Sequence, residues 1–319
     1  MTPERLGALI CLVAVTAIAI ARLPSVIRHP RARPSWAAVV VGAAAFFSRG
    51  ALVPLETLDA ALGGQNYINL VQNSLAVTAF WLMLEAAKAT ITGDFAWRRA
   101  WRLLVMISTF ALPFLAIRDR QGTSSNFIDE FADQWALWAY ASIYMGWVVV
   151  LTVSTIIVVR GRRSVMYFAI RFGCCLIAAG SVIEIAYLTL RVAGNGSVGV
   201  VEIVRLMFAP LFYGGVAMFA AGLAGFWLVR TVRELVLNLL RAALRRGNTL
   251  RGLDHDVLLT GDAAVDAYRM AVMLVDIGNV RGLGWRERTV LAMTTRMLDR
   301  QTKAPRIVKM KAEPSGVLS

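Results

Sequence analysis

Long runs of apolar residues alternate with short polar connections over about the first 230 positions of the chain. A hydrocarbon core about 30 Å thick requires roughly 20 apolar residues in a helix that rises about 1.5 Å per residue. No ten-residue alternating pattern typical of a membrane β-barrel is present, so we expect an all-α fold. The pattern predicts seven transmembrane helices, at 6–22, 35–54, 67–87, 102–117, 135–159, 167–191 and 201–229.

Basic residues are concentrated in alternate connections between these spans. Clusters of Arg and Lys follow the first, third, fifth and seventh spans, beginning at Arg22, Lys88, Arg160 and Arg230, whereas the other connections contain few. Loops rich in Lys and Arg remain in the cytoplasm. The distribution therefore predicts an amino terminus outside the cell and a carboxyl terminus in the cytoplasm.

Composition and net charge support the same class. The chain has 319 residues, of which 58% are hydrophobic and 17% charged, so it is more apolar than an ordinary soluble domain. The formal net charge of +14 lies mostly in the predicted cytoplasmic loops, where it favours contact with anionic lipid head groups. We therefore expect a multi-pass protein of a bacterial plasma membrane and no nucleic-acid partner.

The composition changes after the predicted seventh span. We divide the chain into a transmembrane domain (1–246), a cytoplasmic helical extension (247–303) and a disordered basic tail (304–319). The extension contains two amphipathic segments, at 262–277 and 284–300, which are too small to form much of a core of their own. We expect them to pack on each other, on the membrane surface or on a protein partner.

Residues that would indicate catalysis are sparse. There is no phosphate-binding glycine loop, nucleophile elbow or metal-binding histidine pair. His255 lies between two aspartates without converging ligands, and Cys11, Cys174 and Cys175 fall within spans, where packing explains them best. We expect a non-enzymatic protein without metal or cofactor, and an intramembrane enzyme is the least favoured interpretation.

Several polar side chains fall within the spans, where they are energetically costly and therefore indicate function. The predicted topology places all of them in the outer half of the membrane. Two interpretations remain open. In one, Arg49 or Arg205 pairs with Glu184 in an outward-open pocket for a small polar ligand. In the other, the same residues form a structural network, in which each interhelical hydrogen bond contributes about 0.6 kcal/mol. The candidate residues are Arg49, Asn69, Gln72, Asn73, Glu184, Tyr187 and Arg205.

Three further local features carry structural expectations. Glu85 lies three residues before Lys88, a spacing that predicts a local ion pair near the inner end of the third span. The acids in the polar segment 118–134 fit either a lid or cation-attracting mouth or a solvated helix start, and the helix start is favoured because acids are common there. Small residues in the sixth and seventh spans predict close helix packing or oligomerisation.

Several passages together carry a family resemblance. They are the basic stretch 22–33, FIDEFADQWALWAY entering the fifth span, RFGCCLIAAGSVIEIAYLTLR in the sixth, and the basic exit from the seventh into a cytoplasmic extension. With these features residues 1–250 resemble a group of actinobacterial seven-helix membrane proteins, described as transporters or left uncharacterised. The resemblance implies a transport role and assigns no residue. The seventh span lacks a Lys that could hold retinal, which argues against a rhodopsin.

Two hypotheses about function follow. The first is a non-enzymatic membrane protein that binds a small polar ligand from the outer side, in transport or sensing. The second is a membrane-anchored regulatory protein, including a phage-exclusion type, whose helices within 262–300 recruit a cytoplasmic partner or a second copy of the chain.

Overall fold

The computed structural model describes residues 3–28, 32–92, 97–120, 122–124, 127–194 and 198–246, together with 268, 271–272, 275 and 288–295. All regular secondary structure in these residues is helical, which confirms the all-α class. The chain divides into two compact units, Met1–Trp227 and Leu228–Ser319. The α-helices of the described residues up to 246 are α1 (Pro3–Arg28), α2 (Arg33–Phe46), α3 (Leu55–Ala60), α4 (Tyr67–Thr92), α5 (Ala100–Leu115), α6 (Phe127–Glu130), α7 (Trp135–Val159), α8 (Val165–Ala193) and α9 (Val198–Arg246).

Four of these helices contain segments long and apolar enough to cross a membrane. They are α4, α7, α8 and the Gly199–Val229 segment of α9. The apolar segments Leu9–Pro24 of α1 and Ala100–Leu115 of α5 are shorter. The described chain thus has the helix lengths and composition of an integral membrane protein, while seven crossings and their orientation stay predictions.

The predicted second span, 35–54, is not one continuous α-helix. Helix α2 ends at Phe46 and continues as a short π-helical segment, Phe47–Ala51, in which Gly50 has a φ of +77°. Glycine tolerates this left-handed geometry, and Pro54 restricts the residue before it, so the chain turns here into α3. The break places Arg49 in the π-helical segment, a type of element often found at functional sites.

Helix α7 packs against α4, α5 and α8. Its Tyr140 and Tyr144 are 2% exposed and pack against Phe110, with ring centroids 6.1 and 6.0 Å apart. Phe114 is fully buried beside Tyr140, at 5.1 Å. These rings form the centre of the largest apolar core.

Helices α8 and α9 approach each other through glycines. A Cβ on Gly173 would lie 2.7 Å from the Gly215 carbonyl oxygen, and a Cβ on Gly215 would lie 2.8 Å from the Gly173 carbonyl oxygen. Gly222 repeats the arrangement one level further along, with the Met166 carbonyl oxygen 3.0 Å away. The predicted close packing of the sixth and seventh spans is therefore confirmed, because larger residues would force the two backbones apart.

A buried aspartate organises the connection between α3 and α4. Asp59 is 0% exposed, and its carboxylate accepts hydrogen bonds from the backbone N–H groups of Asn66 (2.8 Å) and Ile68 (3.0 Å). The Thr123 hydroxyl donates a third, at 2.9 Å. The carboxylate thus satisfies backbone donors at the start of α4, which have no partner within the helix.

Little of the predicted extension falls within the described residues. Positions 268, 271–272, 275 and 288–295 are helical. The remainder of the segments 262–277 and 284–300, the tail 304–319 and His255 lie outside the described residues.

Candidate functional site

The seven polar residues singled out from the sequence have different surroundings in the structure. Two of them lie at one end of a cavity within Met1–Trp227. Arg49 and Gln72 line this end. The Arg49 Nη1 donates a hydrogen bond to the Tyr213 hydroxyl at 2.7 Å, and its guanidinium carbon lies 5.8 Å from the centre of that ring. The Gln72 amide donates to the Ser48 carbonyl oxygen, so α4 binds the π-helical segment that carries Arg49.

The cavity has a volume of about 100 Å³ and lies among α1, α2, α4, α7, α8 and α9. Arg49, Gln72 and Tyr144 supply the polar side chains of its lining, and the other described residues that line it are apolar. Ligand sites commonly have this composition, in which a few polar groups fix the orientation of a mostly apolar molecule.

Tyr144 is not among the residues that the sequence singles out, and it has an unusual environment. Its side chain is 2% exposed, and its hydroxyl has no hydrogen-bond partner within the described part of the chain. A buried polar group without a partner costs about 1–3 kcal/mol, and such groups are rare in native structures.

Asn69 and Asn73 lie on successive turns of α4, where both contact Tyr140 of α7. The Asn73 amide donates to the Tyr140 hydroxyl at 2.7 Å, and that hydroxyl donates to the Asn69 carbonyl oxygen at 3.0 Å. These bonds join α4 to α7. They support the network interpretation for Asn73, whereas Asn69 contributes only its backbone carbonyl oxygen. The role of both residues in ligand binding stays a prediction.

A third group surrounds Asp129 in the short helix α6. Its carboxylate accepts hydrogen bonds from the Tyr187 hydroxyl at 2.9 Å, Arg191 at 2.8 Å and Arg205 at 2.8 Å. Arg205 also lies 4.0 Å from Glu202. These contacts bind Arg205 to α6, and its pairing with Glu184 stays a prediction. The pattern of segment 118–134 is that of an ordinary helix start, so sequence reasoning misses this role of Asp129.

Glu184 is 6% exposed and lies on α8, three residues before Tyr187. A direct Arg49–Glu184 pair stays a prediction. Elsewhere, the predicted pair of Glu85 and Lys88 is confirmed at 2.6 Å, and Arg99 joins it at 3.2 Å.

Sequence reasoning therefore identifies Arg49 and Gln72 through their cost at membrane depth, but it misses Tyr144. A tyrosine within an apolar span is usually a packing residue. Tyr144 differs only because its buried hydroxyl has no hydrogen-bond partner in the described chain. The signal that the sequence offers is the i, i+4 spacing of Tyr140 and Tyr144 within the most apolar span.

The described residues contain no group of three or more His, Cys, Asp and Glu side chains arranged to hold a metal ion. What they define is a helical protein of the integral membrane class, with a mostly apolar cavity that is polar at one end. Comparison with protein-family profiles, curated proteins and solved structures finds no match.

Proposed function

We propose that this chain is a multi-pass, non-enzymatic protein of a bacterial plasma membrane that binds a small polar ligand group at the Arg49 end of its cavity. In this proposal the chain crosses seven times with its amino terminus outside, and the ligand enters from the outer side, in transport or sensing. The observation that carries the proposal is the mostly apolar cavity whose polar lining residues are Arg49, Gln72 and Tyr144.

The arrangement favours a ligand group that accepts hydrogen bonds. The side chains of Tyr144 and Arg49 both line the cavity, and both carry hydrogen-bond donors. The Arg49 guanidinium also donates a hydrogen bond to the Tyr213 hydroxyl. Carboxylate, hydroxyl and carbonyl oxygens are acceptors of this kind.

The outer position follows from the basic loops. Arg49 follows α2, and Gln72 lies near the start of α4, so both are at the end of these helices joined by the α3 connection. The predicted cytoplasmic clusters begin at Arg22 and Lys88, at the opposite ends of the same two helices. The positive-inside rule then assigns the α3 end to the outer side.

Thiol accessibility tests this proposal in intact cells. Single cysteines are introduced at position 72, in the cavity, and at position 62, where Leu62 is 42% exposed in the α3–α4 connection. The background has Cys11, Cys174 and Cys175 replaced by alanine. We expect a small membrane-impermeant thiol reagent to modify both positions from outside, and a cysteine at Val77, which is 0% exposed, to stay unmodified.

A cysteine at exposed Arg162 is the control for the opposite side and should react only after the cells are opened. If position 72 reacts only from the cytoplasmic side, or not at all while position 62 reacts, the outward-facing site is refuted.

A further inference from the structure

We infer that the last part of α9 forms one strand of a parallel, two-stranded coiled coil, in which the partner strand belongs to a second copy of this chain. The inference is independent of the cavity and of the function proposed for it. It also differs from the recruitment hypothesis, which assigns a partner to helices within 262–300.

The first argument is a row of exposed apolar side chains in the unit Leu228–Ser319. Leu228, Val232, Leu235 and Leu239 belong to α9 and are 56%, 49%, 57% and 40% exposed. The last three follow the end of the predicted seventh span, so lipid tails do not cover them in that topology. Single exposed leucines are ordinary, but an aligned row of large apolar side chains indicates an interaction surface.

The second argument is the spacing of this row, whose members are separated by four, three and four positions. Alternation of four and three is the heptad spacing of a coiled coil, and it places Val232 and Leu239 at a positions. Leu228 and Leu235 then occupy d positions, and Ala242 follows at the next d. A β-branched residue at a with leucine at d, as at Val232 and Leu235, favours two parallel strands.

The third argument is the distribution of charge in the same register. The e and g positions border the seam, and from 229 to 243 none of them is charged. These positions are occupied by Val229, Thr231, Val236, Asn238 and Ala243. Arg230, Arg233 and Arg241 fall at f, b and c, the positions farthest from a partner helix. Two copies of this basic segment therefore pair without bringing like charges together at the seam.

The membrane explains why the partner is a second copy. Copies of one chain that insert into one membrane share an orientation, so their α9 helices are parallel and each heptad position meets its equivalent. A helical segment this short is marginal as an isolated pair in water. Confinement of both copies to one membrane raises their effective concentration, as a linker between two binding modules does.

A second set of leucines offers an alternative seam that the experiment must distinguish. Leu237, Leu240 and Leu244 fall at f, b and f of the register and so share another side of the helix. A dimer built on these leucines would exclude the seam inferred from Val232, Leu235 and Leu239.

The experiment measures disulfide formation between two copies of the full chain in isolated bacterial membranes after addition of an oxidant. Single cysteines are introduced into a background in which Cys11, Cys174 and Cys175 are replaced by alanine. The seam positions tested are 232, 235 and 239, and the matched control positions on the same helix are 233, 237 and 240.

We expect a cross-linked product of twice the mass of the chain at the three seam positions and its loss at the three control positions. A disulfide requires Cα atoms only about 4.4–6.8 Å apart, a separation that equivalent a or d positions of parallel strands approach. Equivalent b and f positions lie on opposite outer sides of the pair.

A second pair of variants tests the seam by charge. Leu239→Glu places a carboxylate of each copy in the seam, where like charges oppose each other, and it should abolish the cross-link through a cysteine at position 232. Arg241→Glu introduces the same side chain two positions away, at c, and should leave that cross-link unchanged. The amount of chain in the membrane fraction is measured for both variants, so a loss of cross-linking is distinguished from a loss of protein.

The other outcomes overturn the inference. Strongest cross-linking at 237 and 240 would assign the seam to the second set of leucines. Equal cross-linking at all six positions would indicate random collision, and its absence at all six would show that no second copy covers the row. A product whose mass is not twice that of the chain would identify a different partner.

Discussion

Replacing Gly215 by alanine should separate α8 from α9, whereas the same change at the neighbouring Gly214 should not. The added Cβ at position 215 would lie 2.8 Å from the Gly173 carbonyl oxygen, the Ile177 backbone nitrogen and the Ile177 Cγ1. Two of these atoms belong to the backbone of α8, which cannot move away by a change of rotamer. At position 214 the added Cβ would meet nothing within 4 Å.

The magnitude follows from the distances. Ordinary van der Waals contact between carbon atoms begins at about 3.5 Å, so the helices must separate by roughly 0.5–1 Å at this point. A gap of that size forfeits a quarter to a half of each affected contact, and overpacking of this kind typically costs about 1–3 kcal/mol. Alanine also favours a helix over glycine by about 0.5–1 kcal/mol. We therefore expect Gly215→Ala to lower the free energy of unfolding and Gly214→Ala to leave it unchanged or raise it.

The assay is reversible unfolding of the full chain in mixed micelles by increasing the fraction of a denaturing detergent, followed by circular dichroism. The two variants differ by one position on the same helix, so differences in expression or micelle composition affect both. Equal unfolding free energies for Gly215→Ala and Gly214→Ala would show that α8 and α9 do not approach each other closely at this level.

Three further substitutions test other contacts by the same unfolding assay. Asp59→Ala leaves two backbone N–H groups at the start of α4 without an acceptor and should cost about 2–4 kcal/mol. The control is Glu56→Ala, at an exposed position of α3, the helix that carries Asp59. Equal effects of the two substitutions would refute the role of the buried carboxylate. Glu85→Gln should cost about 1 kcal/mol or less, because its two cationic partners are 30% and 43% exposed; a loss several times larger would contradict this. Asp129→Asn should remove the salt dependence that the ion pair with Arg205 contributes, and an unchanged salt dependence of unfolding would contradict the pair.

The helical class and much of its detail follow from hydrophobic pattern alone. The predicted span 135–159 coincides with α7 at both ends, and the start at position 67 coincides with that of α4. The pattern fails at Gly50, where an apolar run continues but the backbone leaves helical geometry. Hydrophobicity describes which residues tolerate lipid, and it contains no information on a local change of φ.

The candidate site, like the fold, is only partly predictable from the sequence. The structure brings Arg49 and Gln72 to one cavity, while their depth in the membrane stays a prediction. The role of Tyr144 depends on what lies around its hydroxyl, and the role of Asp129 depends on Arg191 and Arg205, which are more than sixty positions away in the chain. Such pairings arise from tertiary packing, and sequence spacing does not determine them.

The most direct measurement is an experimental density map of the full chain, extracted with its surrounding lipid by an amphipathic polymer and without added detergent. The account predicts a discrete density for a bound molecule in the cavity, within hydrogen-bonding distance of Arg49 or Gln72. A cavity closed by protein side chains, with the Tyr144 hydroxyl bonded to another residue of the chain, would contradict it.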